Sequence, residues 1–327
     1  MKSILELKDY NVTYVNKKEN KKVYAVKNAH FKMFKGDSLG IVGESGSGKS
    51  TLAMGILNLL PKKSTEISGI ANFNGDNLTE LSEKEYKELR WSKLSVVFQK
   101  SMNSLSPVHR IGTQVEDIYR VHKKNATSKE IFERFSYLLN LVNLPDSVYK
   151  SYPHQLSGGM LQRVSIALSI IHNPKLLILD EATTALDVVT QGQILEEIVK
   201  MEKEMDMTRI MITHDVSVVA ASCNKIAVMY AGEFMEIGKV EDVLKNPKHP
   251  YTKGLMVSFP SLRGKKEKIE AIKGYLPDLS KKYDGCIFEP RCNKAMKICK
   301  SIKPESIELK DGRQISCHLY GGEENEQ

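Results

Sequence analysis

The chain has 327 residues, 41% of them hydrophobic and 27% charged, and its 48 Lys and Arg against 40 Asp and Glu leave a net charge of +8. This is a globular composition in which no apolar run reaches the roughly 18 residues of a membrane-spanning helix, and at this length one large domain with an appendage, or two domains, are expected. The lysines are interleaved with acids, as in "EKEYKELR" and "MEKEMDM", which reads as a solvated surface rather than a track for nucleic acid. The opening "MKSILELKDYNVTY" lacks an apolar segment followed by a cleavage site, so the expectation is a cytosolic protein, where disulfides are rarely maintained. No repeat or low-complexity tract is present, and "GGEENEQ" reads as a frayed end.

In chain order, the first sharp pattern is "SLGIVGESGSGKST". The apolar run Leu39 to Val42 predicts a buried strand. Gly43, Gly48, Lys49 and Ser50 then satisfy G-x-x-x-x-G-K-[ST], and "KSTLAMGILNLL" predicts a helix stopped by Pro61. Such a loop turns backbone N–H groups and a helix N-terminus onto an anion, Lys49 adds a point charge for the β and γ phosphates, and the Ser50 hydroxyl is a ligand for Mg2+.

The stretch from about 100 to 157 reads as helical. "SEKEYKEL" just before it and "TSKEIFERFSYLLNLV" within it each open on a capping-box pattern, and the second carries a helical apolar stripe. A Ser-Gly-Gly turn in "LSGGMLQRVSIALSIIHNP" then opens a long apolar helix, a second anion site in a chain whose nucleotide needs one. In "PKLLILDEATTALD" a strand from Leu176 to Leu179 ends in Asp180 and Glu181. Paired with a phosphate loop, two carboxylates at a strand end suit metal-assisted phosphoryl transfer, Asp180 reaching Mg2+ and Glu181 taking a proton from the attacking water or orienting it. A further strand, "TRIMI", leads to His214 in "THD", where it can donate to the γ-phosphate and hold the water with Glu181.

Near the end stands "CIFEPRCNKAMKIC", and with Cys317 the thiols Cys286, Cys292 and Cys299 form C-x5-C-x6-C-x17-C. Four thiolates bind zinc or a [4Fe-4S] cluster; tight C-x2-4-C pairs are absent and wide loops suit the bulkier cluster, while spacing alone leaves both open beside free thiols or a disulfide. The fifth cysteine, Cys223, has no partner nearby in sequence and reads as a small packed hydrophobe.

With the phosphate loop, "VVFQ", "LSGGM", "LDEATTALD" and "ITHD" in order, the sequence resembles the ATP-binding subunit of an ABC transporter. "FQKSMNSLSPVHRIG", "ALDVVTQGQIL", "VMYAGEFMEIG" and "HPYTKGLMVSFPSL" are similar to the oligopeptide, dipeptide and nickel permease branch of importers, over nearly the whole chain. The resemblance implies an α/β P-loop NTPase with a RecA-like core, an ABC ATP-binding domain over 1–250 with a helical subdomain at about 100–157 that docks on the permease, and a C-terminal extension over 251–327. It implies that ATP is held by the loop from Gly43 through Glu44, Ser45, Gly46, Ser47, Gly48, Lys49 and Ser50 to Thr51. Tyr14, or alternatively Tyr24, would stack on the adenine. Glu181, His214 and Gln99 form the catalytic set, and Ser50, Gln99 and Asp180 surround Mg2+. In the family two subunits pair head to tail, so Leu156, Ser157, Gly158 and Gly159 would act on the partner's nucleotide with Asp187 beside the interface, which accounts for the spare anion site.

The same resemblance favours the [4Fe-4S] cluster in the tail. With no redox partner marked in the sequence, its default role is to staple a segment with little core of its own, and Cys292→Ser is expected to loosen that tail without touching the phosphate loop. Implied partners are a second ATPase subunit, two permease subunits and, indirectly, an external binding protein, with the chain on the cytoplasmic face of the membrane and no nucleic acid. Two departures, Ala182 where the family has Pro and Met160 at the signature's fifth position, remove no chemical group, so an active ATPase is expected. A nickel or metal-chelate importer stays as an alternative substrate reading. An ATPase working on nucleic acid or the ribosome stays as the other class, disfavoured because the chain has one nucleotide domain and no room between Lys49 and Asp180 for long coiled coils.

Overall fold

The computed structural model describes residues 2–99, 101–184, 186–257 and 272–321, with backbone alone at 102 and 103; all but the first residue of the expected frayed end, and part of "HPYTKGLMVSFPSL", lie outside the described residues. The chain forms two compact units, one of residues 1–33, 39–79 and 213–327, the other of 34–38 and 80–212.

In the first unit, strands Ser3–Asn16 and Thr65–Phe73 pair antiparallel, with Lys21–Phe34 beyond the former and Asp76–Asn77 beyond the latter. Period-2 burial places Leu5 and Leu7 inward, then Tyr10 and Val12, a change of phase by one residue. A bulge supplies it: the register shifts between Lys8 and Asn11, and Asp9 sits at φ 46. Gly69 faces that bulge so closely that a Cβ there would lie 2.1 Å from the Asp9 carbonyl oxygen. A second set runs in the order Ile307–Glu308, Gln314–Ile315, Glu233–Lys239, Lys225–Tyr230, Ser38–Val42. Only the last pair is parallel, Leu39 opposite Lys225 and Val42 opposite Val228. Every residue of Ser38–Val42 is buried, as an apolar run covered on both faces should be. Helix Val216–Ser222 covers one face, Val219 lying where a Cβ on Gly40 would stand.

The second unit holds three parallel strands, Thr208–Ile212, Leu176–Asp180 and Leu94–Val97, in that order. Helices Ile111–His122 and Ser128–Leu141 pack together, and Gly158–Ser169 packs on the latter. Inside this unit two ion pairs are shielded from water: Arg209, fully buried, donates to Glu202 at 2.9 Å, and Arg163 to Glu197 at 2.9 Å.

The predicted strands are present, and so are the predicted caps. Ser82 and Glu85 form a reciprocal capping box, and Thr127 accepts from the Glu130 N–H at 3.2 Å. The stretch read as helical contains two α-helices joined by short turns. One boundary differs: the helix after the phosphate loop is Lys49–Ile56, ending well before Pro61. Asn58 adopts φ 50, its N–H bonds to the Gly55 carbonyl at 3.0 Å, and the Leu59 N–H bonds to the Met54 carbonyl at 2.9 Å. This is a Schellman stop with Asn in the left-handed position, and it acts before the proline is reached.

Candidate functional site

In the first unit the buried strand Ser38–Val42 runs into the phosphate loop. Gly43 has φ 155 and a Cβ there would stand 2.0 Å from the Met229 carbonyl oxygen; Gly48 has φ 100 and would place a Cβ 2.2 Å from that of Ala25. Both positions demand glycine because backbone, which cannot yield, is the neighbour. Gly46 is also left-handed, at φ 80. The Ser47 N–H closes the turn on the Glu44 carbonyl at 3.1 Å, and the Ser47 carbonyl accepts from the Gly232 N–H at 2.9 Å. Lys49, at 6% exposure, donates its Nζ to the carbonyls of Gly43 and Glu44, both at 2.8 Å, and to Ser47 Oγ at 3.3 Å. The cation is therefore held inside the curl of the loop. Ser45, Gly46 and Ser50 remain exposed around it.

Tyr14 joins this loop through its hydroxyl, 3.2 Å from Thr51 Oγ1. Tyr24 is instead attached to the C-terminal segment: its N–H donates to the Leu279 carbonyl at 2.9 Å and Lys282 Nζ lies 5.9 Å from its ring. Exposed His214 follows Thr213, whose N–H bonds to the Ile41 carbonyl at 3.2 Å, one residue before Val42 ends the loop's own strand. Asp215 caps the next helix on the Ser217 N–H at 2.8 Å, which orients the His214 turn.

In the second unit Asp180, buried to 6% exposure, closes strand Leu176–Asp180, and Glu181 leaves it in the left-handed region at φ 49. The Glu181 N–H bonds to the Ile212 carbonyl at 2.9 Å and its own carbonyl accepts from Thr184 Oγ1 at 3.0 Å. That hydroxyl also takes a hydrogen bond from Gln99 Nε2 at 3.4 Å, so Gln99 and the acidic strand end come together although the sequence separates them widely. Ser157 caps helix Gly158–Ser169 by accepting from the Met160 N–H at 3.3 Å; Ser157 and Gly158 are exposed while Leu156 and Gly159 are half-buried. A Cβ on Gly159 would stand 2.9 Å from Thr190 Cγ2. Asp187 caps Val188–Glu204, and the hydrogen bonds it takes from the Thr190 N–H and hydroxyl hold its carboxyl below the ordinary range.

The C-terminal thiols share one neighbourhood in the first unit. The Cys286 N–H donates to the Cys299 carbonyl at 2.8 Å, and the Lys294 and Met296 N–H groups point at Cys292 and Cys299 Sγ at 3.4 and 3.5 Å. Burial pushes the Cys286 thiol up to about 12, with Cys299, Cys317 and Cys292 adding negative potential; burial raises Cys292 and Cys317 too. None of the five cysteines is in a disulfide, and among the described residues no group of three or more His, Cys, Asp or Glu is arranged to hold a metal ion. Cys223 packs against the apolar cluster around Val42, Val219 and Tyr230.

Sequence reasoning missed how the tail meets the phosphate loop. Arg291, between Cys286 and Cys292, donates Nη1 to both Glu44 carboxylate oxygens at 3.0 and 3.1 Å and to Tyr230 Oη at 3.2 Å. The Glu44 N–H donates to Tyr251 Oη at 3.2 Å. The expectation that a change at Cys292 leaves the phosphate loop untouched therefore meets a direct connection. No local signal marks it, because Arg291 and Glu44 are 247 residues apart and an arginine in a basic tail reads as surface.

Comparison with known proteins agrees with this geometry. Residues 26–184 match the family model of the ABC transporter, and 235–299 that of the oligopeptide/dipeptide transporter C-terminal region. Among solved structures, a dimeric ATP-binding cassette in a post-hydrolysis state bound to ADP and Pi is 28% identical with a TM-score of 0.63, covering 72% of this chain and 98% of its own. A protein of Clostridium perfringens described as part of an ABC transporter complex is 28% identical with a TM-score of 0.64, over 75% of this chain and 92% of its own. Fold and phosphate loop thus define an ABC ATPase with a P-loop α/β core.

The oligopeptide transport ATP-binding protein AppD of Bacillus subtilis is 39% identical over 100% of both chains. OppD of Escherichia coli is 43% identical over 96% of this chain and 93% of its own, and DppD of the same organism, a dipeptide transport ATP-binding protein, 40% over 90% of each. The chain belongs to the family of ATP-binding proteins of oligopeptide and dipeptide ABC transporters, and it is an ATPase of that class. Among the described residues no helix is long and apolar enough to cross a membrane.

Proposed function

We propose that this chain hydrolyses ATP to drive import of di- or oligopeptides, seated on the cytoplasmic face of the membrane against two permease subunits and paired with a second ATP-binding subunit, the same chain or a relative. What carries the reading is the phosphate loop, where two glycines that no other residue can replace hold a buried lysine in the curl of a chain whose relatives serve peptide transport. Nickel remains the alternative cargo, since specificity would rest with the permease and the external binding protein.

The motif positions assign the roles. Gly43 through Thr51 bind the phosphates, with Lys49 as their point charge and Tyr14, whose hydroxyl lies 3.2 Å from Thr51 Oγ1, under the adenine, Tyr24 being the alternative. Ser50, Gln99 and Asp180 would hold Mg2+, which supplies charge that stabilises the leaving phosphate. Their oxygen donors, a hydroxyl, an amide and a buried carboxylate, suit a hard cation. Glu181 takes the proton of the attacking water and His214 steadies the γ-phosphate side. Leu156, Ser157, Gly158 and Gly159 would reach the partner subunit's nucleotide, with Asp187 beside that junction: the exposed cap at Ser157 supports an anion site turned outward. ATP-driven closure of the pair would turn the permease outward to accept substrate, and hydrolysis would reopen it. The division into 1–250, with a helical part at about 100–157, and 251–327 belongs to the same proposal.

For Cys286, Cys292, Cys299 and Cys317 the proposal is a [4Fe-4S] cluster, with zinc as the alternative. It is supported by four thiols within electrostatic reach of one another and by two main-chain N–H groups aimed at sulfur. Their present arrangement is not a ligand shell, so no step of the ATPase reaction is routed through a metal there.

The decisive variant is Glu181→Gln in the complete transporter. It should accumulate a nucleotide-bound pair and lose turnover, and normal hydrolysis in that variant would refute the base assignment.

A further inference from the structure

The phosphate loop contains an acid, Glu44, where a multiply charged anion is to bind, and an uncompensated carboxylate there would oppose it. Arg291 meets that acid on two oxygens while its remaining donors are committed elsewhere: Nε to the Lys273 carbonyl at 2.9 Å and Nη2 to that of Ile272 at 3.2 Å. The guanidinium is thus locked in one orientation by main chain, with 8% of the side chain exposed against 30% for Glu44. An aromatic set backs the contact. Tyr230, which accepts from Arg291, lies 4.7 Å from Tyr251 and 5.2 Å from Phe288 between ring centroids. Glu44 is consequently fixed at both ends, its N–H on Tyr251 and its carboxylate on Arg291, and its carbonyl is one of those that hold Lys49 Nζ.

We propose that Arg291 is a positioning residue for ATP binding: from the cysteine-bearing tail it neutralises and orients Glu44, so that the phosphate loop of the native chain reaches its full affinity for the nucleotide with the tail folded against it. The inference rests on the ATP-binding reading above and adds a second, distant requirement to it. The arrangement separates two effects. Loss of the arginine leaves the Glu44 charge facing the phosphates and frees the residue that supports Lys49; loss of the Glu44 charge removes the need for compensation.

The test is the dissociation constant for Mg-ATP of the full chain and its variants, measured with melting temperature at low and high salt. Arg291→Ala should weaken binding about fivefold or more at low salt, less at high salt. Glu44→Gln in the Arg291→Ala background should restore most of that loss, because repulsion is gone although the tail contact is not rebuilt. A folded Arg291→Ala that binds as the wild type does, or a double variant with no recovery, overturns the inference and reduces Arg291 to a stabiliser of the tail. Should Arg291→Ala fail to fold, Arg291→Gln serves: it removes the charge and keeps a polar side chain, and binding that weakens at low salt more than at high salt and recovers with Glu44→Gln supports the inference, whereas wild-type binding at both salt levels, or a loss equal at both, overturns it. A wild-type chain that binds no ATP removes the phosphate-loop reading itself, a result distinct from wild-type binding with an indifferent Arg291.

Discussion

His249 sits at the start of helix Pro250–Val257 with 1% of its surface exposed. Its Nδ1 accepts the Tyr251 N–H at 3.0 Å, its own main-chain N–H donates to Glu236 Oε2 at 2.9 Å, and its ring also bonds the main chain of Ser316. Burial lowers its pKa to about 3, the bond to Ser316 opposing only in part. In the unfolded chain the imidazole takes up a proton near 6.5, whereas in the fold it stays neutral down to about 3. The unfolded state therefore binds more protons across that window, so the stability His249 contributes is full above pH 6.5 and is lost as the pH falls toward 3. Each pH unit below 6.5 removes about 1.4 kcal/mol, or about 2 kcal/mol between pH 7.5 and 5.0. Denaturant unfolding of the wild type and of His249→Gln at both pH values isolates this effect, since His172, lowered to about 4 chiefly by burial, is common to both. The wild type should lose about 2 kcal/mol more than the variant over that span. Equal losses would refute the burial argument.

Gly48→Ala puts a methyl against the Ala25 carbonyl at a φ of 100; the left-handed backbone and the close approach together cost about 2–4 kcal/mol, read as a lower melting temperature and loss of ATP-induced stabilisation. Unchanged melting with retained binding would overturn the glycine argument. Lys49→Ala, which removes the cation from inside the loop, should abolish ATP binding, and a variant that still binds ATP as tightly would sink the phosphate-loop reading. Protein purified without oxygen should be brown with about four irons and matching sulfide per chain, lost in Cys292→Ser. One zinc per chain would support the alternative instead, and absence of both would leave four free thiols.

The phosphate loop, the Ser157 cap, the acidic end of Leu176–Asp180 and the caps at Ser82 and Thr127 were legible because each is local: its residue types, spacing and flanking apolar run lie within one turn or strand. The helix end at Asn58 was misplaced for the opposite reason, since a proline is conspicuous and an asparagine willing to adopt φ 50 is not. Four cysteines could be seen to form a set, but not how their side chains are disposed. The structure brings Gln99 to Thr184 beside Glu181, turns the strand phase at Asp9, buries His249 and Glu236, and joins Arg291 to Glu44.

What the sequence by itself determined is the nucleotide chemistry and the class of protein, because a phosphate cradle is built from consecutive backbone groups that only a narrow set of residues permits. What only the tertiary structure decided is which distant side chains hold that cradle in place: an ion pair 247 residues long in sequence is made by chain packing, and nothing in the neighbourhood of either partner encodes it.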